Sequence, residues 1–260
     1  MAGSMIYRLR VADAKAPHMS AYRDAMAAAQ AISDNRGYNF IAGFHGAPGW
    51  YCWHHQANPR TPLQARIFLP WHRAYLQWLE LALRDRVANA AIPWWDWTLD
   101  QRIPPAFNAR RIDNKANPLN SSRAVVPNAT PPIRHTTRRA PGANSQASLP
   151  TAAEVTAVLN QSDWATFSDQ VEDLHDRVHG WVGGDMGDVT TAAYDPIFFA
   201  HHCMIDRLWS IWQVKFGNGG TPGELLGTVL TPFHKTFRDV LDVQRLGYEY
   251  AVNAVPIPVA

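Results

Sequence analysis

Histidine is concentrated in a few short segments of this chain, and this clustering constrains the fold more than any other feature. Among 11 histidines, His175 and His179 are four residues apart, and His201 and His202 follow shortly afterwards. On a helix, a spacing of four places two imidazoles on one face, about 6 Å apart, where they suit a shared metal ion. Taken alone, such a pair is also typical of histidines satisfied by hydrogen bonds at the surface or in the core.

A second group of histidines lies earlier in the chain. His72 opens a predicted helix, and His45, His54 and His55 lie in the loop before it. Three neutral histidines per metal, with no carboxylate at ligand spacing, indicate copper that binds O2 rather than an iron site with two histidines and one carboxylate. Two such groups on facing helices predict a dinuclear centre inside a helical bundle.

Apolar periodicity, together with proline and glycine, assigns the regular elements coarsely. The predicted helices cover residues 20–32, 70–85, 164–181 and 196–216, and the predicted strands cover residues 7–11 and 248–252. Residues 104–150 are rich in Pro, Asn, Ser and Arg. They are interpreted as a long irregular surface excursion rather than a linker, because the segments on either side each hold half of one site. The predicted fold class is mainly α, with long loops and a few short strands.

Composition excludes several classes of protein. Hydrophobic residues make up 47% and charged residues 18% of the 260 residues, which suits one globular domain over residues 1–260. A net charge of +2 favours neither nucleic acid nor a membrane surface as a partner. No window approaches the ~20 consecutive apolar residues of a transmembrane helix. The two cysteines, Cys52 and Cys203, argue against a disulfide scaffold.

The N-terminus shows no pattern of an export signal. Residues 1–4 precede a second methionine and are interpreted as a cloning remnant. The expected compartment is therefore the cytoplasm, or the exterior if the chain is exported with a partner. The oligomeric state is left open.

Four segments resemble the tyrosinase and catechol oxidase family of copper proteins. Residues 68–80, FLPWHRAYLQWLE, resemble the first copper signature of the family, and residues 195–209, DPIFFAHHCMIDRLW, resemble the second. Residues 175–179, HDRVH, resemble its histidine pair, and residues 93–97, PWWDW, resemble another recurrent segment. These motifs lie in the order typical of the family, and the resemblance implies a four-helix bundle that holds two copper ions.

The resemblance also implies three histidine ligands for each copper ion. The implied ligands are His45, His54 and His72 for the first copper, and His175, His179 and His202 for the second. His202 stands four residues before Asp206, as the ligand of the family does. His201 is therefore expected to face away from the metal as a hydrogen-bonded core histidine. Asp206 is expected to orient a ligand imidazole.

The middle ligand of the first copper is where this sequence departs from the family pattern. In many members it lies eight or nine residues before the counterpart of His72, but residues 63 and 64 here are Leu and Gln. An insertion over about residues 56–64 is inferred. His54 is chosen as the ligand, with His55 as the alternative. The segment from Cys52 to His54 resembles a Cys-x-His element in which the cysteine forms a thioether to the ligand; a plain buried thiol is the other interpretation of Cys52, and Cys203 is interpreted as a core residue.

The resemblance implies that o-diphenols are oxidised to o-quinones, with two copper ions as cofactor and O2 as co-substrate. Members that hydroxylate monophenols use a Glu and an Asn that directly follows the first ligand of the second copper. Asp176 stands at that Asn position, and Glu172 is the candidate Glu. Asp176 can also be a solvated helix carboxylate paired with Arg177 or with another neighbour. Monophenol hydroxylation and o-aminophenol oxidation therefore stay open.

Two further roles are predicted by position. Val189, in the loop before the second copper signature, is a candidate gate over the second copper. Arg8 or Arg10 is expected to stack on the tyrosines of residues 248–250, which resemble the Tyr-x-Tyr motif that closes the family's core domain. For the arginines, an exposed position on a strand is the alternative.

Two other functions use similar metal centres. A hemocyanin-like protein binds O2 reversibly with the same six histidines, but hemocyanin units usually carry a further β-domain. A dinuclear zinc hydrolase needs bridging carboxylates, and none stands at a suitable spacing. The expected partners are small phenols, O2 and a copper-delivery protein, with no nucleic acid and no membrane.

Overall fold

The computed structural model describes residues 5–54 and 64–251. His55, residues 1–4, nearly all of the inferred insertion and the last residue of the predicted closing strand lie outside this range. Helices dominate the described residues, as predicted. In chain order they are α1 (Ala16–Gln30), α2 (Tyr38–Ala42), α3 (Phe68–Arg84), α4 (Pro105–Asn108), α5 (Ala152–Leu159), α6 (Trp164–Val182) and α7 (Ile197–Phe216). None of these helices is long and apolar enough to cross a membrane.

The four longest helices form the predicted bundle. Helix α3 packs against α1, α6 and α7, and α6 also packs against α7. Nearly all side chains of α3 are buried, which is typical of a helix surrounded by others. The bundle therefore brings α3, α6 and α7, which carry the histidines of the predicted helices, against one another.

Helix α6 shows how local sequence fixes one wall of the bundle. The Asp163 carboxylate accepts a hydrogen bond of 2.9 Å from the Thr166 amide and so caps the N-terminus. Its apolar residues recur every three or four positions and face the core. These buried residues are Phe167, Val171, Leu174, Val178 and Val182. Gly183, at φ +61°, ends the helix in a conformation that favours glycine.

Helix α5 was not predicted. Thr151 and Glu154 form a capping box, in which the Thr151 side chain accepts from the Glu154 amide and the Glu154 carboxylate accepts from the Thr151 amide. The sequence T-x-x-E before an apolar run is a signal for this cap, so the helix was predictable from the sequence.

The short strands form four two-stranded sheets in the described part of the chain. Strand β1 (Ile6–Arg8) pairs in parallel with β8 (Tyr248–Tyr250), so the two ends of the described chain lie side by side. The others are hairpins: β2 (Arg111–Ile112) with β3 (Lys115–Ala116), β4 (Arg123–Val126) with β5 (Ile133–Thr136), and β6 (Val229–Leu230) with β7 (Lys235–Thr236).

The predicted irregular excursion over residues 104–150 is more ordered than expected, because it contains α4 and two of these hairpins. Its Arg139 is nearly buried and donates to the Asp195 carboxylate at 2.8 Å. The same carboxylate accepts from the Ile197 amide at 3.1 Å, at the start of α7. The excursion therefore fixes the N-terminal end of a histidine-bearing helix.

A buried ion network joins the paired termini to the bundle. The Asp206 carboxylate on α7 accepts from Arg73 Nε at 2.5 Å and from the Tyr250 hydroxyl at 2.5 Å. Arg8 donates to Asp206 at 3.2 Å and to Glu80 of α3 at 3.0 Å. Burial alone would raise the pKa of Asp206, but the charges of Arg73 and Arg8 lower it below its ordinary value.

This network corrects one prediction and confirms another. The prediction that Asp206 orients a ligand imidazole is wrong, because both of its carboxylate oxygens accept hydrogen bonds from arginines and tyrosines. The stacking of Arg8 is confirmed, since its guanidinium carbon lies 3.5 Å from the Tyr248 ring centre. Arg10 instead pairs with Asp13 at 2.7 Å.

Replacing Arg8 with alanine should destabilise the protein by about 3–5 kcal/mol, because Glu80 and Asp206 would stay buried without their shared cation. Arg10→Ala is the matched control and should cost about 1 kcal/mol or less, because the Arg10–Asp13 pair lies near the surface. Denaturant unfolding of both variants gives the two free energies. Equal losses would show that the network does not hold the termini.

Candidate metal centre

The structure brings all six predicted ligand histidines together in the middle of the bundle. His45 lies just after α2, and His54 lies in the loop that follows. The other four come from the three central helices. They are His72 on α3, His175 and His179 on α6, and His202 on α7. Four of the six histidines therefore lie on helices, whereas His45 and His54 lie between α2 and α3.

The first triad consists of His45, His54 and His72, whose nearest ring nitrogens all lie within 4.8 Å of one another. His45 Nε2 lies 3.1 Å from His54 Nε2. His72 Nε2 is buried and has no hydrogen-bond partner among the described residues. A buried nitrogen without a partner carries a free-energy cost that a metal ion would remove.

The second triad consists of His175, His179 and His202. His202 Nε2 lies 3.2 Å from His175 Nε2 and 3.4 Å from His179 Nε2. The two α6 residues therefore share one helix face, as their spacing predicts, and α7 supplies the third nitrogen from the opposite side.

Backbone carbonyls fix the orientation of two ligand rings. The Nδ1 atom of His72 donates to the Phe68 carbonyl at 2.9 Å, and that of His179 donates to the Met186 carbonyl at 2.6 Å. A neutral imidazole that donates from Nδ1 keeps a lone pair on Nε2, which is the atom that faces the centre. Met186 gave no signal in the sequence, because a main-chain carbonyl has no residue signature.

Two carboxylates of α6 contact the Nδ1 atoms of two further rings, one in each triad. Asp176 Oδ1 lies 2.9 Å from His175 Nδ1, and Glu172 Oε1 lies 3.3 Å from His54 Nδ1. Glu172 is fully buried, whereas about a third of the Asp176 side chain is exposed. Asp176 thus contacts a ligand of its own helix, and not Arg177, which pairs with Glu154 at 2.6 Å.

Two phenylalanines clamp the ligand rings, and the sequence analysis missed both. Phe68 lies four residues before His72, and Phe198 lies four residues before His202. The ring centres are 4.5 Å apart in the first pair and 4.0 Å apart in the second. Phe198 also contacts His45 edge-on at 4.7 Å. The repeated F-x-x-x-H spacing was a usable signal, since residues four apart share a helix face.

His201 is placed differently from its prediction. Its ring is fully buried but faces the second triad, and its nearest ring nitrogen lies within 4.8 Å of those of the triad. Neither ring nitrogen has a hydrogen-bond partner among the described residues. The expectation of a hydrogen-bonded core histidine that faces away from the metal is therefore wrong. Its neighbour His202 still makes the closer Nε2 contacts with the α6 pair.

Burial keeps these histidines neutral. It lowers the pKa of His179 from 6.5 to about 4, although the hydrogen bond that His179 donates to the Met186 carbonyl partly opposes the shift. Burial, followed by the neighbouring imidazoles, lowers the pKa of four other histidines of the triads well below the ordinary value. These are His45, His72, His175 and His202. Neutral imidazoles are the form that binds metal ions.

A cavity of about 330 Å³ opens onto the centre. His45, His54, His175 and His179 form part of its wall, so both triads are represented. The wall also includes Asp176, Val189, Gly180, Met186, Gly187 and Ala192. The candidate gate Val189 thus lies at the cavity, but its role as a gate stays a prediction.

Gly46 allows the loop of Val189 to approach the first triad. A Cβ at Gly46 would lie 2.3 Å from the Val189 carbonyl oxygen, which no larger residue tolerates. The Ala47 amide donates to the Thr190 carbonyl at 3.1 Å and closes the contact. The absence of a side chain at residue 46 therefore positions one wall of the cavity.

The two cysteines have different surroundings. Cys203 is fully buried on α7, as predicted for a core residue, and burial raises the pKa of its thiol to about 12. Cys52 is partly buried and packs against the core two residues before His54. The thioether between Cys52 and His54 stays a prediction.

The donor set fits the copper ions that the resemblance implies. Each triad offers three imidazoles, and the Asp176 and Glu172 carboxylates lie 2.9 Å and 3.3 Å from the Nδ1 atoms of His175 and His54. Imidazole suits copper, and partners on the outer nitrogens are typical of metal-binding histidines. His45, His54 and His72 would hold one ion, and His175, His179 and His202 the other.

The metal-free protein should lose stability as the pH falls from 6.5 towards 4. Over this range the unfolded chain takes up protons on histidines that burial keeps neutral in the folded state. Each such histidine contributes about 1.4 kcal/mol per pH unit. Denaturant unfolding at several pH values should show a smaller slope for His179→Phe than for the wild-type protein. A wild-type stability that is constant over this range would contradict the assignment.

Comparison with known proteins identifies the family. The common central domain of tyrosinase matches residues 35–215. A tyrosinase of Streptomyces glaucescens is 34% identical over 219 residues, which cover 72% of this chain and 79% of that protein. Hemocyanin 1 of Megathura crenulata is 29% identical over 262 residues, which cover 87% of this chain. A solved functional unit of octopus hemocyanin is 29% identical, with a TM-score of 0.77, and the match covers 94% of this chain and 68% of that unit.

The coverage differs between these relatives. The chain spans only 8% of the length of the Megathura hemocyanin, but most of the length of the Streptomyces tyrosinase. The domain match extends over more than half of the chain, and its bounds include all six ligand positions. The chain therefore belongs to the tyrosinase family, as a core domain of the type-3 copper kind.

Proposed function

We propose that this chain is a copper-dependent oxidase that converts o-diphenols to o-quinones, with O2 as co-substrate. The observation that carries this proposal is the cavity of about 330 Å³ whose wall contains histidines of both triads. Pockets of this size typically bind small molecules. A small phenol in this cavity would lie against both triads, as a reaction that uses two metal ions requires.

Bound copper supplies the electron transfer between the diphenol and O2. Each o-diphenol loses two electrons and two protons, so two diphenols reduce one O2 to two waters. The protein holds the ligand rings in fixed orientations and surrounds them with aromatic side chains. Phe68 and Phe198 perform this second task by packing on the histidines.

Glu172 and Asp176 are proposed to act on the metals through the rings that they contact. Each carboxylate stabilises a protonated Nδ1 and so strengthens the donor character of Nε2 on the same ring. Asp176 also lies in the cavity wall, where a phenol hydroxyl would approach it. It is therefore also the candidate base for monophenols.

With two copper ions bound per chain, the protein should oxidise catechol and consume one O2 for every two quinones formed. His202→Phe should lower the copper content by one ion and the rate at least about a hundredfold, because one triad is broken. His18→Phe, at an exposed position on α1, should retain both copper and rate. Metal analysis, quinone absorbance and O2 uptake measure these quantities.

The same assay separates the oxidase from its alternative. The similarity to hemocyanins over most of this chain favours reversible O2 binding as the second candidate. Two bound copper ions with no turnover of catechol, L-DOPA, tyrosine or o-aminophenol would favour that alternative. Turnover of tyrosine would add monophenol hydroxylation to the proposed activity.

Asp176→Ala should lower kcat/KM for catechol about 10–100-fold, because the His175 ring loses the acceptor at its Nδ1. Asp176→Asn keeps an acceptor oxygen and should restore most of the activity on catechol. If the carboxylate also takes the phenol proton, Asp176→Asn should still lose activity on tyrosine. Asp173→Asn, at an exposed carboxylate of the same helix, is the matched control. Equal activity of all four proteins on catechol would exclude this role.

A further inference from the structure

Asp185 is a nearly buried carboxylate that the proposed function does not use. It lies three residues after the end of α6, in the turn that leads from this helix into the cavity wall. The next residue, Met186, supplies the carbonyl that accepts the hydrogen bond from His179 Nδ1. The position of Asp185 therefore bears directly on the partner of a ligand histidine.

Both carboxylate oxygens of Asp185 accept hydrogen bonds from the segment around β5. Oδ1 accepts from His135 Nε2 at 2.6 Å, and Oδ2 accepts from the Arg138 amide at 2.8 Å. The amide of Asp185 in turn donates to the Arg138 carbonyl at 2.9 Å. Side chain and main chain of Asp185 thus bind the same neighbouring residue, and His135 adds a third hydrogen bond.

The turn that contains Met186 is closed on both sides of this contact. Before Asp185, the backbones meet so closely that a Cβ at Gly184 would lie 2.1 Å from the Arg138 carbonyl oxygen. After it, the Asp185 carbonyl accepts from the Asp188 amide at 3.1 Å. Asp185 therefore anchors the turn, and the direction of the Met186 carbonyl follows from that anchor.

This direction matters because a neutral imidazole bears its proton on only one of two nitrogens. The hydrogen bond at the outer nitrogen selects the tautomer. With the Met186 carbonyl in place, the proton of His179 is held on Nδ1, and Nε2 keeps the lone pair that a metal ion needs. With the carbonyl turned away, the proton is free to occupy Nε2 in part of the molecules.

We propose that Asp185 is a positioning residue for the second metal position. Through Arg138 and His135 it holds the Met186 carbonyl against His179 Nδ1, and so keeps Nε2 of that ring unprotonated. Asp185 itself does not touch the ring. The inference rests on the metal binding that the proposed function requires, but it does not depend on phenol oxidation.

Nitrogen NMR of the metal-free protein with 15N-labelled histidine tests the proposal, because the ring shifts show which nitrogen bears the proton. The His179 signals are assigned by their absence from His179→Phe. Asp185→Ala removes both acceptor oxygens, and Asp185→Asn keeps one for the Arg138 amide. Asp188→Ala is the matched control, since it removes an exposed carboxylate of the same loop that accepts from the Thr190 amide.

We expect the proton on Nδ1 of His179 in the wild-type protein, in Asp188→Ala and in most molecules of Asp185→Asn, but a mixture of tautomers in Asp185→Ala. Competition with a chelator should show copper affinity of the second position about 10–100-fold lower for Asp185→Ala, and unchanged for Asp188→Ala. A purely structural role would lower the free energy of unfolding without changing the tautomer. A proton on Nε2 in the wild-type protein, or an unchanged tautomer in Asp185→Ala, overturns the proposal.

His135→Phe decides the question if Asp185→Ala does not fold, because it removes one partner of the carboxylate at a half-exposed site. It should shift the His179 signals in the same direction, and unchanged signals would overturn the proposal. Since the tautomer is measured without metal, this inference can fail while catechol oxidation holds. Absence of turnover in a wild-type protein whose His179 is protonated on Nδ1 would overturn the proposed function alone.

Discussion

The centre of this protein depends on burying several imidazoles together while all of them stay neutral. A charged imidazole in this position would repel its neighbours and lose its hydration, which is why burial lowers the pKa of His45, His72, His175, His179 and His202. Neutral rings in turn need partners for their outer nitrogens. The carbonyls of Phe68 and Met186 and the carboxylates of Glu172 and Asp176 provide these partners. These four groups therefore orient the rings of His72, His179, His54 and His175.

The ion network below the centre holds the two helices that must face each other. Asp206 lies one helical turn beyond His202, and Arg73 directly follows His72. The contact between Arg73 and Asp206 thus ties α3 to α7 next to both ligands. Arg8 extends the same network to Glu80 and to the paired terminal strands. The ion network that stabilises the fold is therefore separate from the histidines that form the site.

The sequence predicted the helices that carry the site better than the contacts within it. Helix α6 begins at the predicted Trp164, because its apolar period is regular and Asp163 caps it. Local spacing cannot reveal partners that are distant in sequence. The roles of Asp206 and His201 were therefore predicted wrongly: arginines from β1 and α3 take the carboxylate, and the bundle packs His201 onto the second triad. The six ligand positions were predicted from the motif resemblance, and the structure places these histidines in two groups at the centre of the bundle.

Helix α6 contacts both metal positions. It carries two ligands of one triad, His175 and His179, and through Glu172 it also contacts His54 of the other. A small rotation or shift of this one helix would change the donor properties at both positions at the same time. Mutations that tilt α6 should therefore change the properties of both metal positions together.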